Sequence, residues 1–211
     1  FSAGGFLDIQ KLFYSSSAFP QPIQNGNIKV QIANSGGIAD NTEIVIPSGH
    51  IEVGKDPVDF TLQLKRPMSS IDFNGTAKGS FNLDNVKQFV QLEQGSSVTG
   101  LLDAALSFAG NKTAIDKGEY DKISLSGTTN LNKFKYVSKD YPGGIGISTT
   151  QLTFNPKTVA LNNLAGNYLN SNFTANGVLN NLIGYALKNE PLQGTVNVNV
   201  DKMNLNDWMG T

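Results

Sequence analysis

Thr195-Val196-Asn197-Val198-Asn199-Val200-Asp201 alternates apolar and polar side chains without a break. Successive side chains of an extended chain point to opposite faces, so the three valines share one face. Thr195, Asn197, Asn199 and Asp201 share the other. This is the signature of a β-strand with one apolar face. Just upstream, Leu179, Leu182, Ile183, Ala186 and Leu187 fall at i, i+3, i+4, i+7 and i+8, which predicts a helix with a single apolar stripe. The short turn expected at Asn189-Glu190-Pro191 would bring that stripe onto the valine face.

The same alternation recurs towards the N-terminus. Val98, Gly100, Leu102, Ala104, Leu106 and Phe108 make one set, and Ile123, Leu125, Gly127 and Thr129 a second that continues towards Leu131. Ile145 and Ile147 open a third, which shifts phase before Leu152 and Phe154. Helical spacing returns on a smaller scale at Val86, Phe89 and Val90, behind Asp84 as a candidate N-cap. Asn204 to Trp208 is read as a final turn. Turns are expected at Pro20 and Pro22, Ser35-Gly36-Gly37, Pro47-Ser48-Gly49, Tyr141-Pro142-Gly143-Gly144 and Asn155-Pro156.

Strand-length segments between dense turns, with no regular helical partner, favour an antiparallel sheet over βαβ units. A Gly-x-x-Asn pattern recurs at Gly79, Gly127 and Gly177, and once more at Gly194. Its near-equal spacing suggests a duplicated strand–helix–strand unit. The expected fold is therefore mainly β: an extended, curved antiparallel sheet of strand–helix–strand repeats, with two or three short helices packed on one face. Residues 1–66 read as a β-rich N-terminal part of the array and 67–211 as the repeat region, or the two as one continuous domain.

Composition narrows the function. The chain has 16 basic and 17 acidic residues, and lysines such as Lys112, Lys117 and Lys122 are scattered singly. Nucleic-acid binding calls for a clustered basic face, so nucleic acid is not expected as a partner. Without cysteine there is no disulfide framework, thiolate nucleophile or Cys-based zinc site. Apolar runs such as Leu101–Leu102 and Leu182–Ile183 are too short to span a bilayer. The chain begins at Phe1, so a signal peptide or membrane anchor is expected to lie outside it.

Four passages resemble the AsmA-like family of large envelope proteins, near the C-terminal end of its members. They are Tyr120-Asp121-Lys122-Ile123-Ser124-Leu125-Ser126-Gly127, the strand–turn–strand run from Leu152 through Asn155-Pro156 to Leu161, the segment Gly177 to Leu187, and Leu192-Gln193-Gly194 with the valine strand and Asn204-Leu205-Asn206-Asp207. The resemblance covers residues 55–211 and is looser over 1–54. It implies a non-catalytic periplasmic segment of a membrane-anchored protein acting in outer-membrane biogenesis and phospholipid transport. An apolar β groove would hold a phospholipid or other acyl chain, and other envelope proteins would be partners. The alternative is a structural scaffold or interaction module with a closed core and no lipid.

On that reading the lipid-facing or core candidates are Leu102, Leu106, Phe108, Leu152, Phe154, Val196, Val198 and Val200, with Leu179, Leu182, Ile183 and Leu187 as a lid helix. No cofactor or metal is expected, and no catalytic residue. His50 is the only histidine, and no Gly-x-Ser-x-Gly elbow accompanies it. It is read as a turn residue entering a strand. Asp116 with Glu119, or Asp201 with Asp207, are conceivable acid–base pairs, but each sits where a solvated carboxylate is expected. Gly143-Gly144-Ile145-Gly146 precedes an alternating stretch, so a hairpin is expected there rather than a phosphate loop. Exposed Asn with Tyr136, Tyr141 and Trp208 leaves carbohydrate binding as a distant third class.

Overall fold

The computed structural model describes all residues except 1, 17–18, 89–91, 120–121, 156, 182–190 and 203–211. Strand accounts for 72% of it, in one open eleven-stranded antiparallel sheet whose strands lie side by side in sequence order. The strands are β1 (Ser2–Ser16), β2 (Phe19–Ser35), β3 (Thr42–Val53), β4 (Asp56–Lys65), β5 (Asp72–Asn82) and β6 (Ser97–Asn111). After a short helix α1 (Lys112–Asp116) come β7 (Ser124–Val137), β8 (Ile145–Phe154), β9 (Val159–Tyr168), β10 (Ser171–Leu179) and β11 (Gly194–Val200). Tight connections enforce this order. The two-residue turns Gly54-Lys55 and Leu169-Asn170 return the chain beside itself, with Gly54 at φ 66° and Leu169 at φ 51°.

Two compact units are present, Phe1–Ser80 with Ala104–Gly127, and Phe81–Asp103 with Thr128–Thr211. The first centres on β1 to β5. One end of it is tied by a polar network around α1. Asn111 accepts from Thr113 N (2.8 Å) as N-cap and donates to Asp72 (2.7 Å), Ser70 donates to Asn111 (2.9 Å), and Arg66 pairs with Asp72. Ala114 in this helix is the unit's one buried hydrophobic residue among those described. The second unit centres on β7 to β11, and its buried hydrophobics are Val159 and Ala175.

Several expectations need correcting. Helices do not alternate with strands, so the strand–helix–strand repeat is not supported. The Gly79 copy of the repeat leads into a 3-10 helix, Leu83–Gln88, but the Gly127 copy runs on through β7. The glycines share a different cause. A Cβ on Gly127 would overlap the Ala105 carbonyl oxygen, and one on Gly177 would overlap that of Thr195. Both are points where the neighbouring backbone approaches too closely for any side chain.

Asp84 does not cap its helix from outside. It lies within it, and Asn82 Oδ1 accepts the Asp84 N–H at 2.9 Å. Leu179 is the last residue of β10, facing Gly194 and Val159, rather than the start of a helix. Its ladder partners on both sides outweigh a helical stripe. The rest of that stripe, the Pro191-flanking turn at Asn189-Glu190 and the final turn at Asn204–Trp208 lie outside the described residues.

Pro47-Ser48-Gly49 is a bulge inside β3 rather than a turn, with register shifts against both β2 and β4. Pro22 likewise sits within β2, where its carbonyl accepts the Gly54 N–H at 2.8 Å. By contrast, Tyr141 to Gly144 does turn the chain between β7 and β8 as a hairpin, and β8 shifts phase between Ile147 and Gln151.

Candidate apolar binding face

Cross-strand partners lie on the same side of a sheet, so the register assigns every side chain to a face. In the first unit, one row runs Leu7, Val30 and another Ile32, Ile44, Leu64, Phe73. Parallel rows add Ile9 with Ile28, and Ile51 with Val58. Phe108 of β6 joins this face, its ring 6.3 Å from that of Phe73. These side chains are Ile, Val, Leu and Phe almost throughout, as their period-two spacing requires.

The second unit repeats the arrangement with its own residues. Val200, Val198 and Val196 face Phe173, Ala175 and Gly177. Phe173 faces Gly166, and Leu179 faces Val159, which faces Phe154; Leu152 faces Leu161. Val196, Val198, Val200, Leu152 and Phe154 are thus brought together on one face, along with Leu179. Leu102 sits on β6, and Leu106 and Phe108 follow on the same strand at half-buried positions of an unbroken alternation from Val98.

No large side chain among the described residues is fully buried. Val196 is 44% exposed, Val198 55% and Val200 39%. Leu102, Leu106, Phe108, Leu152 and Phe154 are all half-buried. A closed domain of this size packs its apolar side chains to near-zero exposure in a core that touches on all sides. Among the described residues, the large apolar side chains of these rows stay half-buried or exposed.

The reverse faces are mostly polar, although Phe6 and Val178 are exposed on them. In the first unit His50 Nδ1 lies 2.7 Å from Asp59 Oδ1 across the β3–β4 pair, mid-strand and partly exposed. Thr61 and Thr76 share a hydrogen bond of 2.8 Å, and Asn74 donates to Gln63 at 2.7 Å. Asp116 and Glu119 each hold a separate lysine, Lys112 and Lys122, at 2.5 Å and 2.7 Å. Asp201 bonds Asn172, while Asp207 lies outside the described residues. No cluster of three metal-ligating side chains occurs among the described residues, and no helix among them is long and apolar enough to cross a membrane.

Three carboxyls are held below the ordinary aspartate value. Asp72 is lowered first by Asn111 and then by Arg66, Asp40 by Ser69 and the backbone of Met68, and Asp201 by Asn172. All three tie down turns or strand ends rather than form a reactive pair.

The period-two sets named as candidates from sequence lie on β6, β8 and β11, whereas the residues of β1 to β4 were not among the named candidates. Period-two spacing at Ile28, Val30 and Ile32 was their visible signal. No family model matches the chain, and neither a curated protein nor a solved structure matches it.

Proposed function

We propose that this chain is a non-catalytic, lipid-handling section of an AsmA-like envelope protein, in which the apolar face receives acyl chains. The observation that carries this reading is the exposure of that face. Leu7, Ile32, Val196, Val198 and Val200 are all exposed beside half-buried leucines and phenylalanines of the same rows. Exposed apolar rows of this kind, one in each unit, mark binding sites for lipid or protein. A row of Val, Ile and Leu with no polar group among them suits a hydrocarbon chain, which needs no directional contact.

On this reading the protein works in the periplasm, its parent chain carries the membrane anchor, and phospholipid passes along the face during outer-membrane biogenesis. The scaffold alternative, with a closed core, requires these side chains to be covered.

The test is lipid extraction. Protein purified without detergent is extracted with organic solvent and the extract is read by mass spectrometry. Phospholipid is expected in stoichiometric amount, and Val198→Asp is expected to reduce it several-fold. An extract free of acyl chains, together with no saturable uptake of a fluorescent phospholipid, would remove the reading.

A further inference from the structure

The polar side of the second unit is unused by an acyl-chain site and contains a cleft of its own. It measures about 460 Å³; Ser148, Asn167, Asn172, Thr174, Asn199 and Asp201 supply its polar groups, and Ala165, Gly166, Phe173 and Val200 line it beside them. That volume falls within the range of small-ligand sites, about 300–1,000 Å³. The register builds the cleft, setting Asn172 opposite Asn167 and Thr174 opposite Asn199. All four therefore point away from the valine face.

Its chemistry is unusual for a protein surface. No residue of β8, β9, β10 or β11 is charged. The only ion in the lining is Asp201, and its carboxylate is fixed in place. Asn172 N donates to its Oδ1 and Asn172 Nδ2 to its Oδ2, both at 3.0 Å. The side chains of Asn167, Thr174 and Asn199 make no hydrogen bond to the described residues. Each of these groups both donates and accepts, whereas the carboxylate only accepts.

This set excludes most ligand classes. An anion would meet Asp201 with no cation in the lining. A metal ion would lack the three-ligand cluster that is absent from the described residues. An apolar ligand would strip water from the amides and leave them unpaired. Hydroxyl groups on adjacent carbons, each a donor and an acceptor, match the remaining amides and the fixed carboxylate.

We propose that this cleft binds a neutral saccharide, with ring hydroxyls meeting the side chains of Asn167, Asn199 and Asp201. The site does not depend on the acyl-chain reading, because the polar side chains it uses point away from the valine face. The two can fail separately.

The test is a titration of isotope-labelled protein, followed by amide NMR shifts, with chitotetraose as an N-acetylated probe and maltotetraose as a plain one. One of the two is expected to move the side-chain amides of Asn167 and Asn199 and the backbone amide of Asn172, saturably. Asn199→Ala and, separately, Thr174→Val are expected to weaken that binding about tenfold while the melting temperature stays the same. Asn74→Ala, on the polar side of the first unit, is expected to leave it unchanged. The proposal is overturned if neither sugar gives a saturable shift by about 20 mM, beyond the millimolar limit of weak specific binding. It is equally overturned if both cleft variants bind as tightly as the parent, or if calcium chloride alone shifts these amides and the sugars do not.

Discussion

On β3, β4 and β5 the polar face carries Glu43, His50, Asp59, Lys65, Asp72 and Lys78, while β8 to β11 hold no charged residue at all. Both faces belong to strands of one meander and back an apolar side of similar make-up, yet they are built from different chemistry. In the first unit opposite charges meet across the ladder at Lys65–Glu43, and His50 hydrogen-bonds Asp59 on the same face. Exposed pairs of this kind contribute only about 0–1 kcal/mol each. Their larger effect is on register, since a one-residue slip would set these charges against the apolar face. Strands β8 to β11 hold no charged residue with which to build such a pair. Their register rests on the valine, leucine and phenylalanine rows and on glycines placed where two backbones nearly touch.

That contrast is broken most sharply at the glycines. Gly177→Val puts a branched side chain onto Thr195 and Val196 of the adjacent strand, which has no room for a Cβ. We expect a loss of about 3 kcal/mol in urea denaturation, the scale of overpacking or strain at a special backbone site. Gly127→Val in the first unit adds a second penalty, because its φ of 129° is one that L-residues avoid. Its cost is expected to exceed that of Gly177→Val. Equal and small losses at both positions would mean that the strands separate freely there, and that close approach does not set their register.

The apolar sides offer a smaller contrast. Leu62 is half-buried in β4 between Ile46 and Gly75, whereas Val198 is 55% exposed on β11. Leu62→Asp should cost about 3 kcal/mol, because it places a carboxylate among apolar neighbours on both sides. Val198→Asp should cost about 1 kcal/mol or less, its carboxylate remaining in water. A melt in which Val198→Asp is the more damaging would show that β11 is covered, and would favour a closed core over an open face.

How much of this was legible follows from the same physics. Period-two alternation gives the strand face directly, so the valine row, the β6 row and the phase shift in β8 were readable residue by residue. Each is set by local geometry. Features decided by a distant strand were not. Pro22 reads as a turn former, yet it sits in β2 because its carbonyl serves Gly54 across the ladder. Pro47-Ser48-Gly49 reads as a turn, yet flanking strands hold it as a bulge. Leu179 fits a helical stripe and also a strand row, and two cross-strand neighbours decide for the strand. The five-residue α1 is too short for periodicity to reveal, and Asn111, which resembles the start of a glycosylation site, is its cap. The polar cleft arises from four strands at once, and no single stretch of sequence displays it.

The smallest expected effect comes from acid, and it separates the two polar faces. Asp40 and Asp72 in the first unit, and Asp201 in the second, have carboxyls held below the ordinary value of 3.8. A carboxyl whose folded value is depressed stabilises the fold above its unfolded value, and that contribution is lost as pH falls through the folded value. Stability should therefore be level from neutral pH down to about 4 and decline below it, the unfolded carboxylate value being about 3.9. The decline should begin locally. Hydrogen exchange should quicken first at Met68 and Ser69, whose N–H groups donate to Asp40, and at Thr113, capped by the Asn111 that Asp72 holds. In the second unit Asn172 and Lys202, whose N–H groups donate to Asp201, should follow. The interior amides of β8 and β9, with no carboxyl on their strands, should keep their protection until the whole fold gives way. Asp72→Asn should make exchange at Thr113 insensitive to acid. Exchange that quickens at β8 and β9 with the same midpoint as at Met68 and Ser69 would mean that the uncharged face is not insulated from these carboxyls. The division between the two polar faces would then be one of composition and not of stability.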